Sequence, residues 1–135
     1  MPNPPAEPPM RLPARPIRGH KGTFGAVAVV GGCLGPVRML GAPALAARAA
    51  YRAGAGLVRL AMPDGLLSAG MALEPHTVGH ALPVDGDGAI EGPDAVAMLD
   101  GLCRESSALV LGMGIGGGAG VAAIALMSSH HYPLP

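Results

Sequence analysis

Four short apolar runs, each followed by a helical pattern, constrain this chain more than any other feature. Ala26–Val30 (AVAVV), Leu57–Met62 (LVRLAM), Thr77–Leu82 (TVGHAL) and Ala108–Leu111 (ALVL) read as strands. The first and fourth are unbroken apolar runs followed by Gly, a pattern suited to strands buried on both faces. Helices alternate with them. Ala42–Ala53 (APALAARAAYRA) carries Pro43 near its start and is followed by Gly54, the favoured residues for those two positions. Arg48 and Arg52 share one face of it at i, i+4. Pro63-Asp64 opens a second helix through Leu73, weakened by Gly65 and Gly70. Pro93–Cys103 repeats Val96, Leu99 and Cys103 on one face, with Asp94 at the positive end of the helix dipole. Val121–Ser129 is the last helix. Strict strand–helix alternation predicts an α/β fold: three layers, α/β/α, around a mostly parallel sheet with right-handed crossovers.

Composition narrows the core and the partners. At 135 residues the chain is one domain at most. With no Trp, one Phe and two Tyr, its core is built from Ala, Val, Leu and Met. Met1–Pro16 is Pro-rich without a hydrophobic segment and reads as a disordered or extended arm, not a signal peptide. Residues 17–135 carry the fold. The formal net charge is zero, so no global field draws in nucleic acid. No apolar run is long enough to cross a membrane. Two cysteines, Cys33 and Cys103, read as free thiols of a reducing, cytoplasmic setting.

The candidate chemistry lies in two Gly clusters. Gly31, Gly32 and Gly35 follow the first strand, and Gly112–Gly120 follows the fourth. Both therefore belong at the carboxyl edge of the sheet, where open α/β folds bind ligands. Gly112-Met113-Gly114-Ile115-Gly116-Gly117 matches G-x-G-x-x-G. The dinucleotide fingerprint also needs an acidic residue about twenty positions on, and no Asp or Glu follows Glu105. A Gly-lined wall offering backbone N–H groups to a polar ligand is the alternative, and a plain strand-to-helix turn is another. The only lysine, Lys21, precedes a strand, which excludes a Walker P-loop. Asp85-Gly86-Asp87-Gly88 resembles the start of a calcium loop, but Val96 stands where the closing glutamate is needed, so a polar surface loop is expected. His76, His80, His130 and His131 lack metal-ligand spacing, the last two reading as terminal and solvated. No G-x-S-x-G elbow occurs. Cys33 is either a small turn residue or a thiol near a helix start. No acid, base or nucleophile stands out.

"HKGTFGAVAVVGG", "GAPALAARAAYRAGAGLVRLAMP" and "ALVLGMGIG" together closely resemble the ADP/ATP-dependent NAD(P)H-hydrate dehydratase family, from about Arg18 onward. The resemblance implies a ribokinase-like fold and a metabolite-repair lyase. Its reaction dehydrates the S-form of NAD(P)H hydrate: ADP or ATP, with Mg2+, phosphorylates the hydrate's hydroxyl, and phosphate then leaves. It implies substrate contacts at Gly41 and Ala42, where the first helix starts, and at Gly112, Gly114 and Gly116. Met113 stands where the family has Pro. It also implies a functional link to an NAD(P)H-hydrate epimerase and leaves room for a homo-oligomer. The family's catalytic aspartate, anion hole and nucleotide site lie beyond the stretch matched, so no catalytic residue is expected in this chain. It is expected to be the N-terminal half of a dehydratase domain, truncated and inactive alone, with an uncovered sheet edge at the fourth strand. A non-catalytic half-domain that binds a nicotinamide dinucleotide or a partner is the alternative, as is another ribokinase-fold small-molecule kinase.

Overall fold

A computed structural model describes residues 14–131 of the chain. Its elements alternate as the sequence predicts: β1 (Ala26–Val30), α1 (Gly41–Ala53), β2 (Leu57–Pro63), α2 (Asp64–Leu73), β3 (Val78–Leu82), α3 (Gly92–Arg104), β4 (Ala108–Leu111) and α4 (Ala119–His131). The strands form one sheet in the order β3-β2-β1-β4, and all three pairings are parallel.

The sheet is a barrier between two apolar clusters. On one face Val29, Val58, Leu60 and Met62 pack against Ala47 of α1 and Leu66 of α2. On the other, Ala28, Val30, Ala61 and Leu82 pack against Leu99 and Leu102 of α3 and Ile124 of α4. Successive residues of β1 and β2 thus serve opposite layers, as the two-residue strand period requires. Small side chains make this workable. Gly70 of α2 lies so close to the sheet that a Cβ there would come within 2.5 Å of Met62 Sδ.

Local signals hold at the helix ends. Gly54 takes φ 105° at the C-cap of α1, and its N–H returns to Tyr51 O at 2.9 Å. Pro63 ends β2 and stands at the N-cap of α2, which runs Asp64–Leu73 as Pro63-Asp64 leads one to expect. One expectation fails: β4 is not a buried strand. Ala108 is exposed and Leu109–Leu111 are half-buried, because β4 is an edge strand paired only with β1 among the described residues.

Arg15, at the end of the expected N-terminal arm, stacks 3.9 Å from the Phe24 ring centroid and donates to Gly54 O. The rest of that arm, residues 1–13, lies outside the described residues, as do Tyr132–Pro135 and the side chains of His130 and His131. Among the described residues, no helix is long and apolar enough to cross a membrane.

Candidate functional site

The strand order contains a switch point. From β1 the chain moves outward through β2 to β3, and α3 then carries it back across to β4 on the other side of β1. The loops after β1 and β4 leave the same sheet edge in a crevice between helices of opposite layers, the usual ligand position in open α/β sheets.

Hydrogen bonds set the shape of the β1 loop. Gly31 N–H extends the β2 ladder to Ala61 O at 3.2 Å, while Gly32 N–H turns to Met113 O at 3.1 Å. Cys33 and Met39 then exchange both backbone hydrogen bonds at 3.1 Å, pinching the intervening residues into a flap. The buried Cys33 Sγ donates to Val37 O at 3.0 Å, so this cysteine braces the flap. Gly31 is wedged where the layers meet: a Cβ there would lie 2.8 Å from Met113 O and 3.2 Å from Pro43 Cβ.

The β4 loop starts with Gly112 N–H on Val30 O at 3.1 Å and tightens where Ile115 N–H reaches Gly112 O at 2.6 Å. Gly112, Gly114, Gly116 and Gly118 all take positive φ, from 70° to 125°. Alternating left-handed residues are open to glycine and strained for other L residues. That geometry, beyond any ligand, already explains part of the G-x-G-x-x-G match. Among the described residues nothing accepts the N–H groups of Gly116 and Gly117, so these backbone donors are free.

A third loop completes the site. After β3, Asp85 Oδ1 accepts the N–H groups of both Asp87 and Ala89 at 2.9 Å, an Asx turn closed by Gly88 N–H on Asp85 O. This loop crosses the sheet edge to the other two. A Cβ on Gly88 would lie 2.7 Å from Leu34 O, and one on Gly118 would touch Ala89 at 3.6 Å. The three loops enclose a cleft of about 420 Å³. Cys33, Val37 and Met39 line it from the β1 flap, Asp87–Ala89 from the β3 loop, and Ile115–Gly117 from the β4 loop.

The residues expected at the site are distributed unevenly around this cleft. Gly116 lines it, with Cys33 3.2 Å from a Cβ built there. Gly114 sits against the Met39 side chain, and Gly112 anchors the loop to β1. Gly41 and Ala42 lie exposed at the start of α1, next to Pro43 but off the cleft lining. The sequence reading missed Asp87, which it left in a surface loop. The isolated sign was two aspartates two residues apart, of which one folds the turn and the other is among the residues that line the cleft.

A groove of about 480 Å³ between α1 and the end of α2 is larger, but its polar groups satisfy one another. The buried Glu74 carboxylate accepts from Arg48 Nε at 2.9 Å and contacts His76 Nδ1 at 3.0 Å. Those two hydrogen bonds, Arg48 first, hold its pKa below the usual carboxylate value despite burial. Tyr51 Oη donates to His76 O and accepts from Val58 N–H. This network ties α1 to the α2–β3 turn. Among the described residues no group of three His, Cys, Asp or Glu is placed to hold a metal ion.

No protein-family model matches the chain. It is 33% identical over 107 residues to the bifunctional NAD(P)H-hydrate repair enzyme Nnr of Methanothermobacter thermautotrophicus, covering 79% of this chain and 19% of that protein. To the enzyme of the same name from Hyperthermus butylicus it is 39% identical over 106 residues, covering 78% and 18%. The chain thus spans about a fifth of the length of the curated relatives it matches. A ribokinase-like superfamily protein from Enterococcus faecalis superposes with a TM-score of 0.68 at 21% identity, covering 88% of this chain and 37% of that one. A hypothetical protein from Streptococcus mutans follows at 0.67 and 24%, covering 87% and 38%; at such identities the likeness is one of fold. The chain is a ribokinase-like α/β fold whose sequence relatives are bifunctional NAD(P)H-hydrate repair enzymes.

Proposed function

We propose that residues 17–135 form the substrate-binding side of an ADP- or ATP-dependent NAD(P)H-hydrate dehydratase, a carbon–oxygen lyase of nicotinamide repair. The observation that carries this reading is the convergence of the two Gly loops at the β1/β4 switch point, in a chain whose sequence relatives repair the same hydrate. In this reading Gly41, Ala42, Gly112, Gly114 and Gly116 border the path of the hydrate. The free N–H groups of Gly116 and Gly117 are donors for its polar groups. The cytoplasm is the compartment that this role and the two free thiols suit, and an epimerase supplying the S-form hydrate is its functional partner.

The nucleotide and Mg2+ do not fit the residues present. The cleft is lined by no Lys or Arg to balance a polyphosphate, the only lysine, Lys21, lies before β1, and no metal-binding group of side chains exists among the described residues. No step of phosphoryl transfer is therefore assigned to this chain. In this reading the chain binds and orients the hydrate.

Calorimetric titration of the 135-residue chain with NADH hydrate tests the binding role, with saturable binding expected. Adding ADP or ATP with Mg2+ should leave the absorbance of the reduced nicotinamide unrestored. Recovery of that absorbance would show that the chain contains catalytic groups this reading denies it.

A further inference from the structure

The G-x-G-x-x-G segment of the β4 loop lacks the downstream acidic residue that a dinucleotide fingerprint requires. The fold brings one from elsewhere. Asp87, on the loop after β3, lines the same cleft as Gly116 and Gly117. A Cβ on Gly35 would lie 3.7 Å from Asp87 O, which seats this residue against the β1 flap. The two aspartates of the loop divide the work. Asp85 spends its carboxylate on the turn, whereas the exposed Asp87 carboxylate has no protein partner among the described residues. Among the described residues Asp87 is also the only carboxylate in the lining of the cleft.

The surroundings of Asp87 suit one part of a dinucleotide. Val37, Met39 and Ile115 present apolar surface in the same cleft. A flat purine fits such a wall better than a hydrated nicotinamide ring, which has lost aromaticity and carries a hydroxyl and a carboxamide. A purine seated against these side chains would have its ribose within the same cleft as Asp87. An ionised carboxylate accepts two hydroxyl hydrogens of an unmodified ribose and repels a 2′-phosphate.

We propose that Asp87 accepts hydrogen bonds from the adenosine ribose hydroxyls of the bound hydrate and so makes the chain selective for NADH hydrate over NADPH hydrate. The inference rests on the reading of this cleft as the dinucleotide site. Calorimetry with both hydrates tests it on the 135-residue chain. NADH hydrate should bind about tenfold more tightly, the scale of one close charge repulsion near a protein surface. Asp87→Asn should bring the two affinities within about twofold, chiefly through tighter NADPH hydrate binding. On the unaltered chain, rising salt should narrow the preference, since exposed charges are screened. Equal affinities in the unaltered chain, a preference that survives Asp87→Asn, or one insensitive to salt each overturns the role of Asp87 while leaving the cleft as the binding site. If neither hydrate binds, the reading of the cleft fails and the inference with it.

Discussion

The two ends of the sheet are both built from glycine-rich turns, and both leave a hollow of similar size, about 450 Å³ at the amino end and about 420 Å³ at the carboxyl end. They differ in how their backbone donors and carboxylates are used, although Lys21 lines the amino-end hollow without an ion pair among the described residues. At the amino end, His20 N–H donates to Thr23 Oγ1, Gly22 N–H to His20 Nδ1, and Gly56 and Leu57 both donate to Gly25 O. Ser107 pairs with Ala26 through backbone and hydroxyl, and Arg59 grips Glu105 twice. At the carboxyl end the N–H groups of Gly116 and Gly117 and the Asp87 carboxylate have no partner among the described residues. Glycine content and cavity volume therefore do not mark a binding site. What sets the carboxyl end apart is a set of uncommitted backbone N–H groups and a carboxylate around one cavity, which a ligand can satisfy without breaking anything.

The largest test of this contrast is Gly56→Val. A Cβ at Gly56 would collide with the backbone of Lys21, carbonyl oxygen included, and backbone cannot swing aside as a long side chain can. The substitution should lower stability by about 3 kcal/mol, at the upper end of overpacking effects, read as a fall in the urea midpoint. A near-wild-type midpoint would mean that the His20–Gly25 turn is not clamped to the start of β2, and the amino end would lose its distinction.

Asp85→Ala comes next and works from the other end. It deletes the acceptor of two backbone hydrogen bonds, to Asp87 and Ala89, in a loop that touches both Gly loops. A loss of about 1–2 kcal/mol is expected for two such bonds at a half-exposed turn. Hydrate affinity should fall with it, because the wall that carries Asp87 is no longer held. A stability loss without an affinity loss would remove the β3 loop from the site.

What the sequence could show of this arrangement follows the range of the forces involved. β1 and β4 have the bounds read from their apolar runs, and α1 starts one residue before the expected Ala42, because burial periodicity and end signals such as Pro43 and Gly54 act over a few residues. The strand order and the switch point depend on where α3 returns the chain, and no local pattern encodes that. Asp87 was illegible for the same reason. Its partner loops are about fifty residues away on one side and thirty on the other, and they meet only when the chain after β3 crosses the sheet edge. The half-exposure of β4 likewise depends on what lies beside it, although Ala108–Leu111 is as apolar as β1.

Gly117→Ala separates binding from stability. Gly117 has no positive φ, and a Cβ there meets nothing within 4 Å. Stability should stay within about 0.5 kcal/mol of the parent, as for other surface substitutions that strain nothing. The new methyl group can intrude on the cleft, so the affinity for NADH hydrate should fall several-fold. Equal effects on both quantities would mean that this loop is part of the scaffold, like the amino end, and does not face a ligand.

The smallest expected effect is a pH response confined to stability. His80 lies on β3 opposite Ala61, and its Nε2 is buried without a hydrogen-bond partner in the described structure. Burial lowers its pKa below the usual 6.5, the Arg59 charge adds to the lowering, and Glu105 opposes it. The unfolded chain therefore takes up a proton at a higher pH than the folded one. The contribution of neutral His80 to stability is complete above pH 6.5, declines as pH falls through that value, and is lost once the pH passes below the folded pKa. Melting temperatures measured downward from neutral pH should show this loss, and His80→Leu should flatten it. Arg59 and Glu105, which tune His80, belong to the amino end, so hydrate affinity should stay constant over the same range. An affinity that follows the His80 titration would couple the two ends of the sheet and erase the division between a committed end and an open one.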